Sequence, residues 1–314
     1  MDGVLVVAKP QGLTSHDVVN RVRRLAGQRR VGHAGTLDPL ATGVLLVCLG
    51  QATRIAEYLA GSTKRYRAGL RLGVATDTQD ATGQVIAERP VNVTRQQVER
   101  ALATLRGPIL QVPPMFSALK HRGEALYRLA RRGEEVERPA RAITIYSLAL
   151  TEWAPPDCEF VVHCSAGTYV RTLAHDLGER LGCGAHLTAL VREASGQFAL
   201  DEAVPLEQLE AESADGGWRR HLRPIAQALR GWPAVQLDAE GARRLVLGPT
   251  VAIVAAAENV PEAEALPDGE PLAGAARLAC AFGPDGALLG LVRLEAGGAQ
   301  ARPEKIFAGQ PDAG

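Results

Sequence analysis

The stretch Gly32-His-Ala-Gly-Thr-Leu-Asp-Pro-Leu-Ala-Thr-Gly-Val-Leu45 constrains this chain more than any other, because it runs unbroken into the apolar segment Val44–Leu49. Such an apolar run reads as a buried strand, so the Gly-rich loop stands at the edge of a core. The loop holds a single carboxylate, Asp38, and the following Pro39 biases the Asp38 backbone towards extended or turn geometry. Gly32, Gly35 and Gly43 permit positive φ or the close approach of another group. A lone acid held on such a loop is a candidate catalytic group. Taken alone, the same residues also fit a turn or capping role for Asp38.

A chain of 314 residues, 46% hydrophobic and 22% charged, is long enough for a sizeable core and more than one domain. No apolar run approaches the roughly 18 residues of a membrane span. Met1-Asp2-Gly3 leads straight into Val-Leu-Val-Val without a basic segment, so a cytoplasmic protein is expected. The five cysteines, Cys48, Cys158, Cys164, Cys183 and Cys280, form no CxxC pair, which argues against a disulfide framework. Cys183 and His186 have the spacing of half a metal site, but no second tight pair completes it, so no metal is expected.

Charge is divided unevenly. Residues 1–150 carry 22 Lys+Arg against 12 Asp+Glu, and residues 151–314 carry 13 against 23, so a net charge of zero hides a basic and an acidic half. A basic half points to a polyanionic partner. Only four of the 35 basic residues are lysines; arginine suits bidentate phosphate contacts, and a GC-rich genome produces the same bias.

Along the chain, Val4–Ala8 reads as a strand, and Ser15 as the cap of a helix with apolar positions 18, 19, 22 and 25, closed by Gly27. Thr53–Ala60 reads as a short helix, and a strand follows from Lys64 to Leu72. There Tyr66 sits among Arg65 and Arg67, a mix that suits base stacking beside phosphates or a simple amphipathic strand. Thr94 caps a helix towards Leu105, and Pro113-Pro114 ends that pattern. Between them and Arg138, basic and apolar residues interleave, as in an arm that grips nucleic acid or a solvated amphipathic helix. Strands are expected at 142–152, 159–165 and 186–191, with a helix opening at Gly167-Thr168 that puts Tyr169 and Arg171 in its first turn. An arginine at that end of a helix calls for an anionic partner. Beyond Trp232-Pro233 come a helix at 239–247, an Ala-, Glu-, Pro- and Gly-rich stretch at 255–275, and strands from Arg277 and Ala287 joined near Asp285-Gly286.

The opening stretch resembles the catalytic motif of the TruB family of tRNA pseudouridine synthases. Lys9-Pro10-Gln-Gly12, Lys64-Arg-Tyr66-Arg, Thr76-Asp-Thr-Gln-Asp80, Pro113-Pro-Met-Phe-Ser-Ala-Leu-Lys120, Gly167-Thr-Tyr-Val-Arg-Thr172 and His186-Leu-Thr-Ala-Leu190 look like further family segments, in family order. The C-terminal part is similar to a PUA domain, mainly through Gly290 and its flanking strands. The resemblance implies an α/β (α+β) pseudouridine synthase fold: a central mixed, largely antiparallel sheet flanked by helices. A thumb would be inserted at about 113–138, with a catalytic domain over 1–232 and a small PUA-like β-domain over 233–314.

It implies isomerisation of the T-loop uridine at tRNA position 55, with Asp38, Tyr66 and Arg171 as catalytic residues. His33, Tyr66, Tyr169, Leu190, Lys9 and Pro10 would bind substrate, and Arg29, Arg30, Arg65, Arg67, Lys120, Arg122, Arg131 and Arg132 would contact the RNA backbone. Phe116 and Val191 replace the tyrosine and arginine of some relatives. The reaction exchanges an N1–C1′ for a C5–C1′ bond without redox change, so no cofactor is expected. The expected partner is the tRNA T-arm alone, with no membrane, no obligatory protein partner and a monomeric chain. A non-catalytic RNA-binding chaperone, a guide-RNA-dependent dyskerin-type synthase and a nucleoside hydrolase are the competing readings.

Overall fold

Buried and exposed side chains alternate strictly from Lys64 to Arg67, and Ala68, Leu70 and Leu72 continue the buried face. This is the signature of a strand with one face in the core. The computed structural model describes residues 1–256, 278–295 and 299–307.

The chain opens with β1 (Gly3–Lys9) and α1 (Ser15–Ala26). Thr14, one residue before the expected cap, closes the helix start. Its hydroxyl accepts from the Asp17 N–H, and the Asp17 carboxylate accepts from the Thr14 N–H. Gly27 ends the helix in the left-handed region at φ +62°. The short β2 (Val31–Ala34) pairs with β3 (Thr42–Leu49), the apolar run, buried at every position from Gly43 onward. A 3-10 turn and α2 (Ala56–Ala60) lead to β4 (Lys64–Leu72), and β5 (Val74–Thr76) with β6 (Val85–Glu88) form a side hairpin. Then come α3 (Arg95–Ala103), capped by Thr94, and β7 (Gly107–Gln111).

The segment 113–138 contains a two-residue ladder, β8 (Lys120–His121) with β9 (Glu124–Ala125), and a six-residue helix α4 (Leu126–Arg131) that buries Leu126 and Leu129. Next follow β10 (Arg141–Ala154), β11 (Asp157–Cys164), α5 (Val170–Arg180), β12 (Ala185–Ser195), β13 (Phe198–Ala199), β14 (Val204–Pro205) and α6 (Leu206–Ala211).

The main sheet runs β14-β1-β3-β12-β4-β11-β10-β7, with β2 beside β3 and β13 beside β12. The pairs β1–β14 and β3–β12 are parallel, while β12–β4, β4–β11, β11–β10 and β10–β7 are antiparallel. The mixed, largely antiparallel sheet is the one expected. Its register sets Tyr66 opposite Arg192 on β12 and opposite Val162 on β11. Arg192 in turn lies opposite Gly43 on β3.

The chain divides into two units: Val6–Val47 with Ala56–His221, and Met1–Leu5 with Cys48–Ile55 and the described residues from Leu222 onward. In the second, Arg223 exchanges two backbone hydrogen bonds with Val4, of 2.8 and 2.9 Å. It continues through α7 (Ile225–Ala228), β15 (Ala234–Gln236), α8 (Ala239–Leu247), β16 (Val251–Ala252), β17 (Ala255–Ala256), β18 (Leu278–Phe282), β19 (Leu288–Leu294) and β20 (Gln300–Ile306). The strand order is β16-β20-β19-β18-β15-β17, a small β-domain whose core gathers Val235, Leu237, Leu245, Val251 and Val292. Gly290 has to be glycine, because a Cβ there would sit 2.2 Å from the Lys305 carbonyl oxygen. Arg277 and most of the Ala- and Glu-rich stretch lie outside the described residues.

Candidate active site

The loop that carries Asp38 is tied down at nearly every residue, mostly through its backbone. Ser15, turned inward because Thr14 takes the cap, accepts from the Leu37 N–H at 2.8 Å and donates to the Leu37 carbonyl at 3.1 Å. The Gly12 N–H donates to the Pro39 carbonyl at 2.8 Å, and the Ala41 N–H to the Asp38 carbonyl at 3.0 Å. Two buried cations take further carbonyls. Lys9 Nζ donates to Ala41 at 2.6 Å and to Pro10 at 2.9 Å. Arg192 donates from Nε to Val44 at 2.7 Å, from Nη2 to Gly35 at 3.0 Å and from Nη1 to Thr36 at 3.3 Å. Gly43, at φ +101°, lets β3 approach β12 this closely; a Cβ would meet the Arg192 carbonyl oxygen at 2.3 Å.

Asp38 itself stands at the open end of this framework. Its Oδ2 lies 2.9 Å from Arg171 Nε, and the arginine side chain is 5% exposed while the aspartate is 40% exposed. Arg171 sits in the first turn of α5, as expected. Its guanidinium also donates to the carbonyls of Thr78 (2.9 Å) and Phe116 (2.8 Å) and lies 3.7 Å from the buried Asp80 carboxylate. Asp80 accepts from the Thr82 N–H and from the Thr78 and Thr82 hydroxyls. The helix start is pinned by the buried Gln111, whose amide accepts from the Tyr169 N–H at 2.8 Å and donates to the Tyr169 carbonyl at 3.1 Å. Tyr169, predicted inside the first turn, is the residue just before it.

Tyr66, Lys9 and Tyr169 lie close enough to Asp38 to feel its charge. Burial pushes the Tyr66 phenol up, with the nearby Arg192 acting against that shift. Burial also pushes Lys9 down to about 8, opposed by Asp38, and Lys64 down to about 7, where Arg192 adds to the effect. Lys64 Nζ donates to the carbonyls of Ala60 and Ser62. His33 is lowered by burial and by Arg192, and its Nδ1 is buried without a hydrogen-bond partner. Leu190 is buried on β12 two residues before Arg192, and Pro10 is half-buried in the turn after β1.

The predicted basic contacts separate. Arg65 and Arg67 alternate with Tyr66 and therefore project from the opposite face of the sheet, where both pair with Glu193, at 3.0 and 2.9 Å. The expected patch of tyrosine flanked by arginines does not form. Arg29, Arg30, Lys120, Arg122, Arg131 and Arg132 are exposed. Arg132 pairs with Glu124 at 2.6 Å and Glu134 at 2.7 Å, and Arg131 lies over the Tyr127 ring at 5.6 Å.

Sequence reasoning missed Arg192, Asp80, Lys64, Ser15 and Gln111. An arginine directly after the apolar run Ala189-Leu190-Val191 was the one signal available for Arg192. Taken together, a half-exposed carboxylate backed by a buried guanidinium, with a phenol and a lysine beside it, provides one carboxyl group on a pre-set loop and an acceptor or donor next to it. That is equipment for attack on an electrophilic carbon or for proton transfer.

Comparison with known proteins accords with this geometry. Residues 23–170 match the family model described as TruB family pseudouridylate synthase (N terminal domain), and residues 171–230 match that of the tRNA pseudouridylate synthase B C-terminal domain. A tRNA pseudouridine synthase B from Syntrophotalea carbinolica is 53% identical over 81% of this chain and 84% of its own length. Those of Pseudomonas aeruginosa and Haemophilus influenzae are 49% and 48% identical, over 77% and 80% of this chain and 81% of each relative. Among solved structures, the crystal structure of a Cbf5-Nop10-Gar1 complex superposes with a TM-score of 0.73 at 25% identity, over 97% of this chain and 84% of that one. With Asp38 and Arg171 falling within the two matched regions, the chain belongs to the TruB family of pseudouridylate synthases.

Proposed function

We propose that this chain converts the uridine at position 55 in the T loop of tRNA to pseudouridine, with Asp38 as the catalytic carboxylate. The observation that carries this reading is the 2.9 Å pair between half-exposed Asp38 and buried Arg171, held on a loop whose carbonyls are taken up by Lys9 and Arg192. The N1–C1′ bond breaks, the base turns over, and C5 bonds to C1′. The proton then leaves C5, and N1 gains one, so the product is an isomer of the substrate. Asp38 must be ionised whether it adds to C1′ or removes a sugar proton. Arg171, 2.9 Å away, orients it.

The target base has to leave its stack, at a cost of a few kcal/mol. Tyr66 stacks on it in the pocket, His33 fills the space it vacates, and Tyr169 and Leu190 line the pocket walls. The Tyr66 hydroxyl takes the C5 proton. Arg29, Arg30, Lys120, Arg122, Arg131 and Arg132 hold phosphates, while Arg65 and Arg67 face the other side of the sheet. The small C-terminal β-domain adds PUA-like contacts to the same RNA.

The purified chain, with no other protein or guide RNA, is incubated with an unmodified T-arm hairpin. Pseudouridine at the position equivalent to 55 is the expected product. Its absence, or release of free uracil, would refute the proposal. Asp38→Asn is expected to abolish turnover while binding the hairpin within a few fold of wild type; normal turnover by that variant would exclude the catalytic role.

A further inference from the structure

Arg192 is 1% exposed, and a guanidinium that deep is costly unless every donor finds an acceptor. No carboxylate lies within ion-pair distance of it among the described residues. Three carbonyls of the Asp38 loop and its flanking strand, those of Gly35, Thr36 and Val44, take its donors. Directly across the β12–β4 ladder, on the same face, stands Tyr66, whose phenol lies close enough to feel the Arg192 charge. One side chain thus joins the loop that presents Asp38 to the strand that presents Tyr66. An apolar residue would pack in this place at less desolvation cost, so packing alone does not account for a charge here. Burial holds the Tyr66 phenol above its ordinary pKa, and the Arg192 charge works against that rise, so the guanidinium makes the phenolate easier to reach than the site would otherwise allow.

We propose that Arg192 is a positioning residue of the reaction, holding the Tyr66 oxygen in register with the Asp38 loop and stabilising that oxygen as the phenolate which takes the C5 proton. This rests on the function proposed above. In that step the Tyr66 phenol has first given its proton to water. The C5–H bond then breaks, its proton passes to the phenolate oxygen, and its electron pair becomes the C5=C6 bond. The displaced charge settles on N1, which takes a proton from solvent.

The test is a double-mutant cycle of single-turnover rates against pH for wild type, Arg192→Lys, Tyr66→Phe and the double variant. Arg192→Lys keeps the charge but cannot span the three carbonyls. It is expected to slow turnover about 30-fold or more, with hairpin affinity within about threefold of wild type, and in the Tyr66→Phe background to cost less than about threefold. The pH at which the rate levels off should move up by about one unit in Arg192→Lys and be lost in Tyr66→Phe. An equal cost in both backgrounds, or an unmoved pH profile, overturns the proposal. A wild type that forms no pseudouridine would instead refute the underlying function. If Arg192→Lys lacks a cooperative melt, the guanidinium ¹⁵N resonances of Arg192 in wild type and in Tyr66→Phe decide the matter. A shift on loss of the hydroxyl supports the link, and identical resonances overturn it.

Discussion

Lys9 and Lys64 are buried under the loop with pKa values near 8 and 7, against 10.5 ordinarily. Between the folded and ordinary values the unfolded chain binds more protons than the folded one. Stability contributed by these two groups therefore rises as pH climbs from about 7 towards about 10, and is lost again on return to neutrality. Lys64→Met removes one of them, so the thermal midpoint of wild type should gain on that of the variant at each step from pH 7.5 to about 9.5; parallel curves would mean that Lys64 titrates as it does in the unfolded chain. Arg171→Ala leaves the buried Asp80 carboxylate without its guanidinium and the Thr78 and Phe116 carbonyls without a donor. A loss of about 3 kcal/mol or more is expected, measured by urea unfolding. Asp38 and Arg171 were legible in the chain because each is unusual for its place: a lone acid before proline, and an arginine at the wrong end of a helix. Arg192 and Ser15 were not, because their partners are backbone carbonyls and amides, which every residue supplies and no sequence pattern marks.

Element boundaries followed from local chemistry wherever caps and alternation were strong. β4 and α8 match the predicted spans, and Thr94 caps α3 as read. Of the two readings of Arg65-Tyr66-Arg67, the amphipathic strand is the one that forms, for a simple geometric reason. Neighbours in a strand point to opposite faces, so residues adjacent in the chain are divided by the full thickness of the sheet. The contact between β3 and β12 was equally hidden, since parallel neighbours as distant in sequence as Gly43 and Arg192 leave no local trace. It nevertheless makes a definite demand at Gly43. Gly43→Ala combines positive φ with a Cβ 2.3 Å from the Arg192 carbonyl oxygen, so it should cost about 2 kcal/mol or more. It should also lower turnover by forcing β3 away from β12. A melting temperature within about 1 °C of wild type would show that the strands accommodate it.

At the scale of the molecule, the basic surplus of residues 1–150 gives a measurable signature on the proposed RNA. The logarithm of hairpin affinity should fall linearly with the logarithm of salt concentration, and Arg131→Ala should reduce that slope by about one unit. Arg65→Ala, on the opposite face and paired with Glu193, should leave it unchanged. Fluorescence anisotropy from 50 to 300 mM salt, the range over which about 10³-fold effects are expected, separates the two. The restraint of the Asp38 loop carries a consequence for which RNAs are chosen. A loop fixed through Leu37, Pro39, Ala41 and Val44 has little shape left to change, so the distortion needed to bring base and carboxylate together falls on the nucleic acid. On the proposed function, selection should then follow the mechanical softness of the RNA as much as the letters it displays: single-turnover rates on T-loop variants with the same uridine should be highest for those that yield most readily.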